Sequence, residues 1–123
     1  MSLSVTPSGR TAIYLYTRPA DMRKGFVGLR GLIESASDLN VTDGGLFVFV
    51  NRRRDRMKVL HFDGDGLICW YKQLEAGRFQ LPASKPGADH AGIDATQLRL
   101  ILDGIDLSSA RRRKRFAQGA ERA

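Results

Sequence analysis

The run Leu46-Phe47-Val48-Phe49-Val50 constrains the fold of this 123-residue chain more than any other feature. Five consecutive apolar residues, all but one β-branched or aromatic, have strand length and leave no polar alternation. Asp43-Gly44-Gly45 turns the chain in front of them and Asn51 ends them. Such a strand is buried on both faces, so it belongs in the middle of a sheet. The remaining chain must supply its neighbours, and 123 residues do so within one compact domain rather than two. Hydrophobic residues make up 42% of the sequence, the ordinary globular proportion, so a packed core is expected.

Ala12 to Thr17 is rich in β-branched and aromatic residues and predicts a first strand, broken by Arg18-Pro19-Ala20. Asp21 is then a candidate N-cap. Met22, Phe26, Leu29, Ile33 and Ala36 recur at three and four, one face of a helix. After the central strand, Asn51 to Asp55 connects to a strand over Met57 to Phe62. Asp63-Gly64-Asp65-Gly66 is a hairpin signal, and Leu67 to Leu74 returns. A two-residue turn at Gly64-Asp65 sets Val59 opposite Trp70 and Lys58 opposite Tyr71. Phe79-Gln80-Leu81 reads as a short last strand and Pro82 to Gly92 as a loop. Asp94 caps a second helix with Gln97 reaching back, and Leu98, Ile101 and Leu102 form its apolar stripe. Gly104 ends that helix. The expectation is α+β: a mostly antiparallel sheet of four to five strands, a meander, with two helices packed on one face. Residues 1–107 form the domain, and residues 108–123 a flexible basic tail.

Twenty basic residues against thirteen acidic ones give a net charge of +7. The positive charge is concentrated. Beyond Ser108, Arg111, Arg112, Arg113, Lys114, Arg115 and Arg122 face Glu121 alone. Between Asn51 and Lys58, Arg52, Arg53, Arg54, Arg56 and Lys58 face Asp55 alone. Clusters of this kind attract polyanions, and nucleic acid is the commonest in the cytosol. The cluster after Asn51 connects two strands, so its guanidinium groups project together from one end of a sheet and suit bidentate phosphate contact; the bland reading is a solvated loop. Trp70-Tyr71-Lys72 invites base stacking, with Trp70 favoured for the core and one of the two aromatics left outside. No apolar run approaches the roughly 20 residues needed to span a bilayer, and no signal peptide opens the chain, so a cytoplasmic location is expected and no membrane partner.

Chemistry is harder to find. Cys69 stands alone, unable to form an internal disulfide or a thiolate zinc site. Asp63-Gly64-Asp65 lacks the further oxygen ligands of a calcium loop. His61 and His90 have no adjacent second ligand, and the acidic residues that a metal-dependent nuclease would need are explained by turns and caps. No catalytic residue, metal or cofactor is expected, and the chain reads as a non-enzyme.

Several segments together resemble a known family. Tyr14-Leu15-Tyr16, Pro19 to Leu29, Leu46 to Phe49 with Asn51-Arg52-Arg53, Lys58-Val59-Leu60, Asp63 to Gly66, Trp70 to Phe79 and Leu102 to Asp106 follow one another as in the TnpB accessory proteins of IS66-class insertion sequences. These are unrelated to the RNA-guided nucleases called TnpB. The resemblance implies a small accessory protein encoded beside a DDE-type transposase, with no catalytic residues to carry over. The matched cations that become candidates are Arg23, Lys24, Arg52, Arg53, Lys58, Lys72 and Arg78. Arg54 stands where a small or glycine-like turn residue is usual. Two readings follow. In the first, the basic segments, with Arg111 to Arg115 adding nonspecific affinity, bind the DNA of the insertion-sequence ends. In the second, the chain is an interaction module that docks on the transposase without touching DNA. Homo-oligomerisation is left open.

Overall fold

The computed structural model describes residues 11–83, 85 and 87–103. Its elements are β1 (Ile13–Tyr16), α1 (Phe26–Ala36), a 3-10 turn (Val41–Asp43), β2 (Leu46–Val50), β3 (Arg56–Phe62), β4 (Leu67–Gln73), β5 (His90–Ile93) and α2 (Ala95–Asp103). The strands form one sheet in the order β4-β3-β2-β1-β5. Three of its four pairings are antiparallel, and β1 runs parallel to β2. The α+β class and the mostly antiparallel sheet are as expected. The β2-β3-β4 meander is present too, with Val59 opposite Trp70 and Lys58 opposite Tyr71. Asp63 N–H closes the hairpin on the Gly66 carbonyl at 3.0 Å, and Gly64 takes the positive φ of 107° that the turn needs.

All five residues of β2 are buried. A strand buried on both faces needs a cover on both, and here the one-face expectation for the helices fails. Leu29 and Ile33 of α1 pack with Phe47, Phe49 and Leu60 on one side. Leu98 and Ile101 of α2 pack with Leu46, Val48, Val50 and Val59 on the other. The result is a three-layer arrangement, α1 on one face and α2 on the opposite one.

Three further expectations are corrected. The first helix begins at Phe26 and not at Met22, with Gly25 as N-cap and no side-chain cap. Asp21 serves the turn before it: its Oδ1 accepts from Arg23 N–H at 2.9 Å and its carbonyl from Lys24 N–H at 3.0 Å. The Phe79-Gln80-Leu81 segment forms no strand. Phe79 is wholly buried as a plug in the α2-side core, while its N–H bonds the Arg54 carbonyl at 2.7 Å. The last strand instead comes from the end of the expected loop, where His90 to Ile93 pair antiparallel with β1. At α2 the predicted reciprocal cap is present: Gln97 N–H donates to Asp94 Oδ1 at 2.7 Å and Asp94 N–H to Gln97 Oε1 at 3.0 Å. Gly104 and the basic tail lie outside the described residues.

Phe79 and Phe26 provide a test of this packing. Phe79→Ala should lose about 3–5 kcal/mol of stability in urea unfolding. Phe26→Ala, at a side chain nearly half exposed, should stay within about 0.5 kcal/mol of wild type. Similar losses for the two would contradict the plug role of Phe79.

Candidate nucleic-acid interface

Strand directions decide where the cations go. Because β1 and β2 are parallel, Tyr16 and Val50 finish at the same end of the sheet. Antiparallel pairing starts β3 there with Arg56, ends β4 there with Gln73 and starts β5 there with His90. The connections leaving these strands carry Arg18, Arg23, Lys24, Arg52, Arg53, Arg54 and Arg78 to one end of the molecule. Ala20 N–H bonds the Val50 carbonyl at 2.9 Å and holds the β1–α1 connection against the start of the arginine loop. Asp21, Asp55, Glu75 and Asp89 share this end. The opposite end carries Asp43, Asp63, Asp65 and Asp94, with no lysine or arginine among the described residues of its turns. The sheet thus separates charge along its strands.

Asn51 organises the arginine loop. Its Oδ1 accepts from the N–H groups of both Asp55 and Arg56 at 3.0 Å, and its Nδ2 donates to Asp55 Oδ1 at 2.7 Å. That amide bond, assisted by the charge of Arg53, holds the Asp55 carboxyl below its ordinary range in spite of partial burial. The β4 exit clamps the same loop from outside, with Leu74 N–H on the Asp55 carbonyl and Phe79 N–H on the Arg54 carbonyl, both at 2.7 Å. Arg54 sits at φ 60°, the one non-glycine residue with positive φ among those described. The glycine-like position suspected from sequence is therefore a left-handed one, and the clamp maintains it against a cost of about 1–2 kcal/mol. With the backbone fixed, Arg52, Arg53, Arg54 and Arg56 are all exposed. The Arg53 contact to Asp55, at 3.9 Å, is the one ion pair recorded for these four among the described residues.

The other candidate cations are placed differently. The Arg23 guanidinium clasps Asp21 through three contacts of 2.7 to 3.1 Å and pulls that carboxyl down to about 2. Lys58 turns along the α1 face, where its Nζ donates to the Lys24 carbonyl at 2.8 Å and lies 4.9 Å from the centre of the Tyr71 ring. Gly28 leaves room for the Lys24 side chain, since a Cβ there would come within 3.0 Å of it. Lys72 points to the α2 face and donates to the Leu102 carbonyl at 3.4 Å. Arg78 is exposed beside the loop clamp. The sheet thus gathers Arg23, Lys24, Arg52, Arg53, Arg54, Arg56 and Arg78 at one end and leaves Lys72 on the far face. Arg111 to Arg115 lie outside the described residues. Sequence reasoning did not single out Arg18, which bridges Asp89 at 2.7 Å at this same end. It also missed Asn51 as the organiser; its spacing from Asp55 was the available signal.

Other groups show no converging chemistry. Among the described residues, no three His, Cys, Asp or Glu side chains come together as a metal site. Asp63 Oδ1 accepts from the N–H groups of Asp65 and Gly66, which lowers its carboxyl, and its proximity raises that of Asp65. Burial pushes the Cys69 thiol up, away from the thiolate. His61 Nδ1 lies 3.2 Å from the Gly45 carbonyl, and the His90 ring meets Tyr14 edge-on. No described helix is long and apolar enough to cross a membrane.

A family model described as IS66 Orf2 like protein, or TnpB of IS66, matches residues 11–112. The chain belongs to this family. Among relatives of the IS66 Orf2-like chain are two proteins of Sinorhizobium fredii, both described as uncharacterized. It is 35% identical to y4jC over 109 residues, 89% of this chain and 92% of the relative. It is 39% identical to y4hO over 101 residues, 81% of this chain and 86% of the relative. No solved structure matches. IS66 Orf2-like membership gives the protein a transposition-associated accessory role.

Two substitutions test the loop of this IS66 Orf2-like protein. Arg54→Gly should raise stability by about 0.5–1 kcal/mol, because glycine takes the left-handed backbone without a Cβ clash but loses more chain entropy; a lower urea midpoint would contradict the strain. Asn51→Ala should cost about 1–3 kcal/mol by orphaning two backbone donors and the Asp55 carboxylate. The pH dependence has a definite sign. A carboxyl held low in the folded state stabilises fully above its unfolded value of about 3.9 and ceases to do so as pH falls through the folded value. In Asn51→Ala the Asp55 titration, followed by NMR, should move up and the acid loss of stability should become shallower. An unmoved titration would rule out this role for the amide.

Proposed function

We propose that this protein is a non-catalytic accessory factor of transposition that binds the DNA of its insertion sequence through the basic end of the sheet. The observation that carries the reading is the exposed row Arg52, Arg53, Arg54 and Arg56, on a loop whose backbone is pinned by Asn51 and by the β4 exit. A loop backbone pinned in advance need not be ordered on engaging phosphate, and its guanidinium groups can contact phosphate bidentately. Arg18 and Lys24 widen the positive surface, and acids at the far end orient the molecule in the field of a polyanion. The Lys72 contact to the Leu102 carbonyl ties the end of α2 to β4, and Arg111 to Arg115 would add nonspecific affinity. Contacts of this type position a protein on DNA without reading sequence. Sequence choice would then come from the transposase, which we place beside this protein on the insertion-sequence ends. The rival reading is a module that docks on the transposase alone.

Electrophoretic mobility shifts on insertion-sequence end DNA test the proposal. Binding should weaken steeply between 50 and 200 mM salt, by about tenfold or more for several neutralised phosphates. The double charge reversal Arg52→Glu/Arg53→Glu should abolish it with an unchanged circular dichroism spectrum. Wild-type protein that ignores DNA at low salt but co-purifies with the transposase would establish the rival instead.

A further inference from the structure

Tyr71 is unexplained by phosphate contact. It lies on β4, an edge strand, with 46% of its surface exposed, whereas its neighbour Trp70 turns inward and packs against the α2-side core. Its side chain shares the α1 face of the sheet with Arg56 and Lys58, and it stands directly opposite Lys58. The Lys58 ammonium lies 4.9 Å from the ring centre and is itself tied to the Lys24 carbonyl. The ring is therefore held by a cation anchored to main chain, and among the described residues no further strand lies outside β4. Arg56, two positions before Lys58 and on the same face, leads from the ring to the arginine loop.

We infer that Tyr71 is a stacking platform for an unpaired base, and that the preferred ligand of the basic end is DNA with a single-stranded segment. This rests on the DNA-binding reading above. In duplex DNA the bases cover one another's faces and offer only their edges, so an aromatic side chain finds no partner there without opening the stack. An unpaired base offers its whole face to a ring, and every base can do so, which makes the interaction tolerant of sequence. Cations beside the ring hold the backbone that carries the base. Arg56 and the arginine loop supply them beyond the Lys58 end of the ring. A ring held in advance loses little entropy on stacking.

The test is fluorescence anisotropy with a labelled oligothymidylate and, separately, a blunt duplex of equal length. Wild type should bind the single strand more tightly. Tyr71→Ala should lose about 5- to 150-fold on the single strand, the range for removing one stacked base. Its duplex affinity should be unchanged, and Tyr71→Phe should retain single-strand binding. The Arg52→Glu/Arg53→Glu protein should lose both ligands. Tyr71→Ala binding the single strand as wild type does, with the charge-reversed protein still defective, overturns the stacking inference and spares the DNA reading. Equal loss on both ligands assigns the ring a structural role and likewise overturns it. Wild-type protein that binds neither ligand sinks both readings together.

Discussion

Burial of β2 on both faces is the constraint from which the rest follows. A strand whose five residues are all withdrawn from water must have hydrogen-bonding neighbours on each edge and an apolar layer on each side. β1 and β3 supply the edges. The two helices supply the layers, one each, because neither stripe is wide enough to serve both faces. Phe79, from a segment with no regular structure, completes the core on the α2 side.

That same strand arrangement produces the electrostatic character of the molecule. A parallel β1–β2 pair forces the helical crossover to leave and the arginine loop to begin at one end of the sheet. Cations far apart in sequence, such as Lys24 and Arg52, are brought to the same end of the sheet for this reason. The acidic hairpin Asp63 to Gly66 is sent to the opposite end by the antiparallel turn of β3 into β4. Separation of charge along the strands costs little in folding terms, since nearly all these groups remain hydrated, and it gives the molecule a direction in the field of a polyanion.

The arginine loop combines a strained residue with a rigid surround. Arg54 takes a backbone conformation that glycine adopts more easily, and hydrogen bonds from Asn51 and the β4 exit hold the loop around it. A side chain kept at such a position contributes a charge where glycine would contribute only ease of turning. Local strain maintained by its surroundings is a recurrent mark of functional segments, and membership of the IS66 Orf2-like family gives the charged surface its setting in transposition.

Much of the fold could be read from local chemistry. The apolar run of β2, the Asp-Gly-Asp-Gly hairpin with its register and the Asp94–Gln97 cap each depend on residues a few positions apart, so periodicity and turn preference determine them. The glycine-like demand at position 54 came from the family resemblance and not from local chemistry. The arginine loop was visible as a cluster, but the contributions of Arg18 and Lys24 to its surface were not, nor was the strand His90 to Ile93. That strand exists because β1 offers it an unpaired edge; its own sequence, with Gly92 and Ala91, is a poor strand signal. Likewise Phe26 matched the helix stripe yet stays nearly half exposed, because α1 begins there and not at Met22. The sequence determined which residues form strands, turns and charged clusters. The tertiary structure alone decided which face each helix covers and which charges meet, since both depend on pairings between distant strands that no local pattern encodes.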